Sequence, residues 1–188
     1  SLGVTLCLAW VLRPKVPEIE DFGTNEFDDF ERGLLINKQS NDANIPVIFG
    51  ERLVGGTRVF METSGTDNTY LYMAIVMSEG EINSIEEVRV DDKAVTFASS
   101  LSDGTEVEVG SGDSNFYKNS ESLIRIEPHF GTDNQASSDL LSTLSSWGSN
   151  HRLRGLCYLA LRFKWNQDAF TGIPKVQAKI KGKKVVTL

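Results

Sequence analysis

The chain has 188 residues, 40% of them hydrophobic, and 26 acidic against 19 basic side chains give it a formal charge of −7. That length buries a core without disulfide staples, and the acidic balance argues against a general nucleic-acid binder, whose footprint is basic. Cys7 and Cys157 form no C-x-x-C pair. Cys157 sits in an apolar run where a thiol behaves as a small hydrophobe, which fits assembly in a reducing cytoplasm and leaves a long-range bridge to Cys7 as the alternative.

Residues 2–12 are apolar but fall short of the roughly 20 residues that span a bilayer, and no basic run precedes them. The expectation is a structural segment buried against this chain or a neighbouring subunit, with no stable membrane anchor; a trimmed targeting or anchoring sequence is the other reading. Pro14 and Pro17 then forbid a regular element. An acidic run follows, interrupted by Phe22, Phe27 and Phe30. It reads either as a solvated linker or as an arm whose phenylalanines lie in grooves of another subunit while the carboxylates stay wet.

Residues 47–49, 57–63 and 70–77 are rich in β-branched, aromatic and long apolar side chains. Gly55-Gly56 and the stretch from Ser64 to Asn68 separate them with turn chemistry, predicting antiparallel hairpins. Ile85, Val88 and Val90 alternate with charged residues up to an Asp91-Asp92-Lys93 turn leading to Val95 and Phe97, a meander pattern. Residues 98–119 are polar and rich in Ser and Gly, with only Val107 and Val109 alternating, and predict an extended hairpin or a long surface loop.

One amphipathic helix is predicted over 133–147: Thr132 and Gln135 form a capping box, Leu140, Leu141, Leu144 and Trp147 follow helical spacing, and Gly148 ends it. Residues 153–165 return to strand, with Cys157, Leu159, Leu161 and Phe163 on one face and Tyr158, Ala160 and Arg162 on the other. After Pro174 a last strand sets Val176, Ala178 and Ile180 against Gln177, Lys179 and Lys181, one face buried and one wet and basic. The predicted class is mainly β with a minor α+β element, an antiparallel barrel or sandwich. Residues 1–44 form an apolar segment plus acidic arm, and residues 45–188 a β-rich domain with a polar insertion around 98–119.

Catalytic signatures are weak. No nucleophile-elbow, phosphate-loop, zincin or dinucleotide motif is present. His129 and His151 beside Asp133 or Asp139 suggest a triad only because serine is abundant, so His129 is expected to cap or pack near the helix entry. Asp103, Glu106, Glu108 and Asp113 surround Gly-rich turns, but their order is not that of a calcium loop, and a solvated loop is expected. No enzyme, cofactor or metal is predicted. Residues 151–188 carry nine Lys and Arg side chains against Asp168 alone. This asymmetry suits a head-to-tail contact with the acidic arm of a neighbour, while Lys179 and Lys181 alternately serve to blunt a strand edge.

Three stretches carry a resemblance: IPVIFGERLVGGTRVF from Ile45, YLYMAIVMSEGEINSIEEVRVDDKAV from Tyr70, and HFGTDNQ from His129 followed by LRGLCYLALRFKWNQDAFTGIPKVQAKIKGKKV. In this order they are similar to the tail-hub and tail-tip proteins of long-tailed bacteriophages, the family that includes the tip-attachment or host-specificity protein. The resemblance implies a structural virion protein of the tail tip or baseplate hub, assembled in the host cytoplasm. It would connect the tail tube to receptor-binding parts and help close the channel before genome delivery. Its implied state is a homotrimer, with distal-tail, tape-measure and tip or fibre proteins as partners.

Gly55 and Gly56 would serve a hairpin, Glu79 and Gly80 a strand exit, and Gly155 the last long strand, all as assembly geometry. Phe22, Phe27, Phe30, Lys179 and Lys181 are the candidate interface residues. Relatives are commonly longer, so receptor specificity does not carry over. The rival readings are a secreted or cell-surface adhesin-type β domain and a tail-associated glycan hydrolase, the latter needing two carboxylates about 5 to 9.5 Å apart in one cleft.

Overall fold

The computed structural model describes residues 37 and 44–183. The apolar opening, the acidic run with Phe22, Phe27 and Phe30, and residues 184–188 lie outside them. Eleven strands follow in chain order: β1 Glu51–Val54, β2 Thr57–Ser64, β3 Tyr70–Glu79, β4 Ser84–Val90, β5 Lys93–Ala94, β6 Val107–Glu108, β7 Tyr117–Lys118, β8 Glu121–Ser122, β9 Ile124–Phe130, β10 Leu156–Lys164 and β11 Val176–Lys181. Every ladder between them is antiparallel. One sheet has the order β2-β3-β10-β9-β6, a second β1-β11-β4-β5, and β7 pairs with β8.

The first core lies between the two larger sheets. Met73, Ile75 and Met77 of β3 and Leu159, Leu161 and Phe163 of β10 meet Val54, Val88, Val90, Val176, Ala178 and Ile180 from the other sheet. This is the period-2 alternation of a half-buried strand expressed as packing. The far face of β3 and β10 is also covered: Tyr72, Ala74, Val76, Tyr158 and Ala160 pack against Leu140, Leu141, Leu144 and Trp147. β10 is therefore apolar on both faces because both are buried.

The sandwich is zipped along one side and open along the other. Ala98 N–H donates to Glu108 O at 2.9 Å and Gly110 N–H to Thr96 O at 2.9 Å, so the chain leaving β5 pairs with the stretch around β6 and ties the two sheets together. On the opposite side β1 and β2 are sequence neighbours in different sheets and do not pair. The barrel alternative is thus replaced by a sandwich.

Other expectations are corrected. Gly55-Gly56 is a crossover between sheets, not a hairpin turn: β1 pairs with β11 and β2 with β3. The true hairpins turn at Ser64–Asn68, at Asn119-Ser120 between β7 and β8, and at Asp91-Asp92, where both aspartates have positive φ (49° and 63°) as a two-residue type I′ loop requires. Residues 47–49 supply only one parallel bridge, Phe49 to Lys183.

The predicted helix over 133–147 is absent. A single short turn, Leu141–Thr143, of 3-10 type stands in irregular chain, because side chains from elsewhere compete for the backbone groups a helix would use. Within the 98–119 stretch Val107, Val109, Asp113 and Phe116 are buried. The Asp113 carboxylate accepts from Thr96, Asn115 and Phe116 N–H at 2.8–3.0 Å, so it is a loop staple and not a solvated acid.

Gly56 has φ +68°, and a Cβ there would lie 2.5 Å from Val76 O and 2.8 Å from Met77 Sδ; Gly104 has φ +63° but open space around it. Gly104→Ala is expected to cost about 1–2 kcal/mol from the left-handed backbone alone. Gly56→Ala should add a further ~1–3 kcal/mol of overpacking. Urea-denaturation midpoints of the two variants, compared at equal slope, check the difference.

Candidate assembly site where the strand ends meet

The three stretches that carry the resemblance converge at one corner of the structure. β3 ends at Glu79, β9 at Phe130, and β10 begins at Leu156, all at the same end of one sheet. Glu79 N–H donates to Pro46 O at 2.9 Å, Gly80 N–H to Gly155 O at 2.7 Å and Ile82 N–H to Phe130 O at 2.9 Å. Ser78 Oγ accepts from Ile48 N–H at 3.3 Å. The opening segment, the Ser78-Glu79-Gly80 exit, the His129–Gln135 stretch and Gly155 thus form one hydrogen-bonded unit.

Backbone conformation explains Gly80 and Gly155, and close approach of other backbone explains Gly131 and Gly182. Gly80 and Gly155 have φ of 83° and 73°. Gly131, at φ +90°, is also closely approached: a Cβ would lie 2.5 Å from Gly80 O and 2.9 Å from Cys157 N. Gly182 has a similar constraint against Ile48 O at 2.0 Å. Gly131 and Gly182 escaped the sequence reading, since a close approach between distant segments leaves no local pattern.

Gln135, expected to cap a helix, ties the corner instead. Its Oε1 accepts from Gly131 N–H at 3.1 Å, and its Nε2 faces the carbonyls of Arg152, Leu153 and Leu156. One buried amide thereby satisfies carbonyls that the irregular chain leaves unpaired. A surface pocket of about 330 Å³ opens beside the corner, lined by Glu81, Ile82, Asn83, Phe130 and Lys183.

A second buried polar cluster sits next to it. Glu127 of β9 points to the outer face, where its carboxylate accepts from Ser138 Oγ at 2.5 Å, Leu140 N–H at 2.8 Å and Asp139 N–H at 3.2 Å. His129 Nε2 lies 3.1 Å from the same carboxylate. A carboxylate only accepts, so this nitrogen carries the proton. The His129 ring stacks on Tyr158, centroids 4.3 Å apart and nearly parallel.

Burial pushes the Glu127 carboxyl up, but the hydrogen bonds from His129, Ser138 and Leu140 outweigh it and hold its pKa below the ordinary value of 4.5. His129, Glu127 and Ser138 have the residue types of a triad, yet all three are buried and the carboxylate lies between the other two. Ser138 Oγ–H donates to the carboxylate and not to the imidazole, so the serine–histidine contact of a triad is not made. The cluster holds the covering segment in place. His151 lies apart from it, its Nδ1 accepting from Gly148 N–H at 2.8 Å.

The candidate interface lysines sit elsewhere. Lys179 and Lys181 lie on β11, an inner strand of its sheet, so they do not blunt an edge. Lys179 pairs with Glu51 and Lys181 with Glu86 at 3.1 Å. Lys175 pairs with Asp92 at 3.0 Å and Lys164 with Glu121. Much of the basic C-terminal charge is thus met by acids of the same chain. Arg125 similarly bridges Glu106 and Glu108. Cys157 is buried, and burial raises its thiol pKa far above the ordinary value, which leaves it unreactive. Among the described residues no group of three or more His, Cys, Asp and Glu could hold a metal ion, and no helix is long and apolar enough to cross a membrane.

No family profile matches the chain. It is similar to baseplate hub protein pb3 of Escherichia phage T5, 23% identical over 180 aligned positions that take in 75% of this chain and 19% of that protein. The chain therefore spans about a fifth of that relative's length. Among solved structures, a chain from the virion of a native gene transfer agent particle has a TM-score of 0.49 at 16% identity, covering 77% of this chain and 28% of its own length.

Glu127→Gln is expected to destabilise the fold by about 2–3 kcal/mol, because an amide presents N–H where Ser138 and Leu140 already donate. The pH dependence has a definite sign. With the folded pKa below the unfolded one, the unfolded state binds more protons around pH 4, so this contribution is complete above the unfolded pKa and is lost as pH falls through the folded one. The stability gap between wild type and Glu127→Gln should therefore shrink as pH drops below about 4.5. Thermal unfolding followed from pH 7 to pH 3 checks it.

Proposed function

We propose that this chain is a structural brick of a phage tail end, a part of the baseplate hub or tip. The similarity to a baseplate hub protein over three quarters of the chain carries this reading. The geometry supports it: the stretches expected to matter gather as a rigid hydrogen-bonded corner, and Glu127, His129 and Ser138, the residues with catalytic chemistry, are buried as a fold staple. The finer proposal is a threefold ring at the tail tip that joins the tail tube to receptor-binding parts and helps shut the channel until infection. Heterologous contacts that close after three copies would give such a ring its fixed geometry. The glycan-hydrolase alternative gains no support from the pockets described, since the corner pocket is lined by one carboxylate, Glu81, and the apolar groove beside Trp165 by none.

Gold-labelled antibody against the chain, applied to intact particles in the electron microscope, should decorate the end of the tail distal to the capsid. Native mass measurement of the assembled hub should give three copies per ring. Label on the capsid or on free cell surface, or no incorporation into particles, would overturn the reading.

A further inference from the structure

We propose that the outer face of the five-stranded sheet, just beyond its covering segment, is an interaction surface that takes an acidic side chain of a partner protein between Arg162 and Arg125. The strand register sets Glu62, Tyr72, Arg162, Arg125 and Glu108 side by side across β2, β3, β10, β9 and β6. They share the face that carries Tyr158 and Glu127, because side chains two apart on a strand point the same way. The cover packs on Tyr72, Ala74, Val76, Tyr158 and Ala160. Arg162 and Arg125, next along their strands, stay partly exposed. Arg162 stands about 20 Å along β10 from Leu156 at the rigid corner, so this surface is separate from the corner and does not rest on the hub reading.

Charge sets this row apart. Residues directly opposite on neighbouring strands have Cβ atoms about 5 Å apart, and like charges placed so repel. Arg125 is compensated by Glu106 at 2.8 Å and Glu108 at 3.4 Å, and Lys164, two residues beyond Arg162, pairs with Glu121. Among the described residues no carboxylate pairs with Arg162; its guanidinium lies over the Tyr70 ring, 5.0 Å from the centroid. The Nε of both arginines is buried without a hydrogen-bond partner. The face thus holds a cation partly removed from water, braced by an aromatic ring, opposite a second cation and without an acid of its own chain. The anion that fits is a carboxylate. A guanidinium fork matches it through two parallel hydrogen bonds. Glu62 and Glu108 close the two ends of the row and Glu121 stands beside Lys164, so a polyanion such as nucleic acid, which needs a continuous basic track, meets repulsion on either side. A single Asp or Glu fits between them. Tyr70 beside Arg162 supplies the aromatic and arginine pairing that is enriched where proteins meet.

Titration of the isotope-labelled full chain with two peptides, acetyl-Gly-Glu-Gly amide and acetyl-Gly-Gln-Gly amide, tests this through the NMR signals of the arginine Nε–H groups. The Glu peptide should shift the Arg162 and Arg125 signals along a saturable curve, and the Gln peptide should leave them in place. Arg162→Gln should weaken the Glu peptide by about tenfold or more, read from the Arg125 signal. Arg162→Lys should fall between, and Lys175→Gln, whose partner Asp92 belongs to the other sheet's hairpin, should change nothing. Backbone amide spectra show whether each variant keeps the fold, and Arg162→Lys carries the comparison if Arg162→Gln does not. Equal response to both peptides, shifts that never saturate, or undiminished binding by the Arg162 variants would overturn the proposal. Inorganic phosphate binding more tightly than the Glu peptide would overturn the assignment to a protein carboxylate.

Discussion

From Cys157 to Leu161, strand β10 has no polar face to offer water. Cys157, Leu159 and Leu161 point to one side and Tyr158 and Ala160 to the other, all fully buried, so a single second sheet cannot satisfy it. Much of the architecture answers this demand. The four-stranded sheet covers one side, and residues 132–155 are laid over the other, with Trp147 edge-on to Phe60 at 5.0 Å. Without that cover, Tyr72, Val76 and Tyr158 would form an exposed apolar plate on an otherwise acidic protein.

A covering segment without regular structure raises its own problem, since its peptide groups need partners once buried. Buried or part-buried side chains supply them: the Glu127 carboxylate for the N–H groups at 139 and 140, the Gln135 amide for the carbonyls at 152, 153 and 156, and Ser137 for the Trp147 indole. Two of these residues lie in or next to the stretch from His129 to Gln135, which itself ends β9. The same few residues therefore finish a strand, fix the corner with Gly80 and Gly155, and begin the cover. A carboxylate charged at neutral pH suits this task because it accepts several bonds at once and each is stronger than a neutral one.

The strands were legible in the sequence where alternation reports burial directly. β4, β10 and β11 lie where period-2 patterning puts them and β3 where its apolar, β-rich composition does, and the Asp91-Asp92 turn is written in its residue types. Pairing was less legible. Gly55-Gly56 has the composition of a hairpin turn, but which strand β1 joins depends on β11, more than a hundred residues away. The helix failed for a related reason: Leu140, Leu141, Leu144 and Trp147 have helical spacing because they share one target face, and an irregular chain can meet that face too. Glu127 was not legible: with Arg125 and His129 it reads as the wet face of an alternating strand, and only the partners at 138–140 show it to be buried.

The two sides of the sandwich then play unequal parts. The outer face of the four-stranded sheet uses its charges internally, Lys179 with Glu51, Lys181 with Glu86 and Arg89 with Glu87. Exposed pairs of this kind add little stability, but they leave a nearly neutral mosaic that fits poorly with simple attraction to an acidic neighbour. The open side differs: β2 is an eight-residue edge with Val59 and Met61 about half exposed, next to the apolar groove beside Trp165. An exposed edge carrying apolar side chains is a template for further pairing unless something covers it. The β2 edge is therefore one surface in need of cover and the segment bonded to the corner is another, since Val47 and Phe49 are 47% and 59% exposed there; any assembly of this protein has both to accommodate.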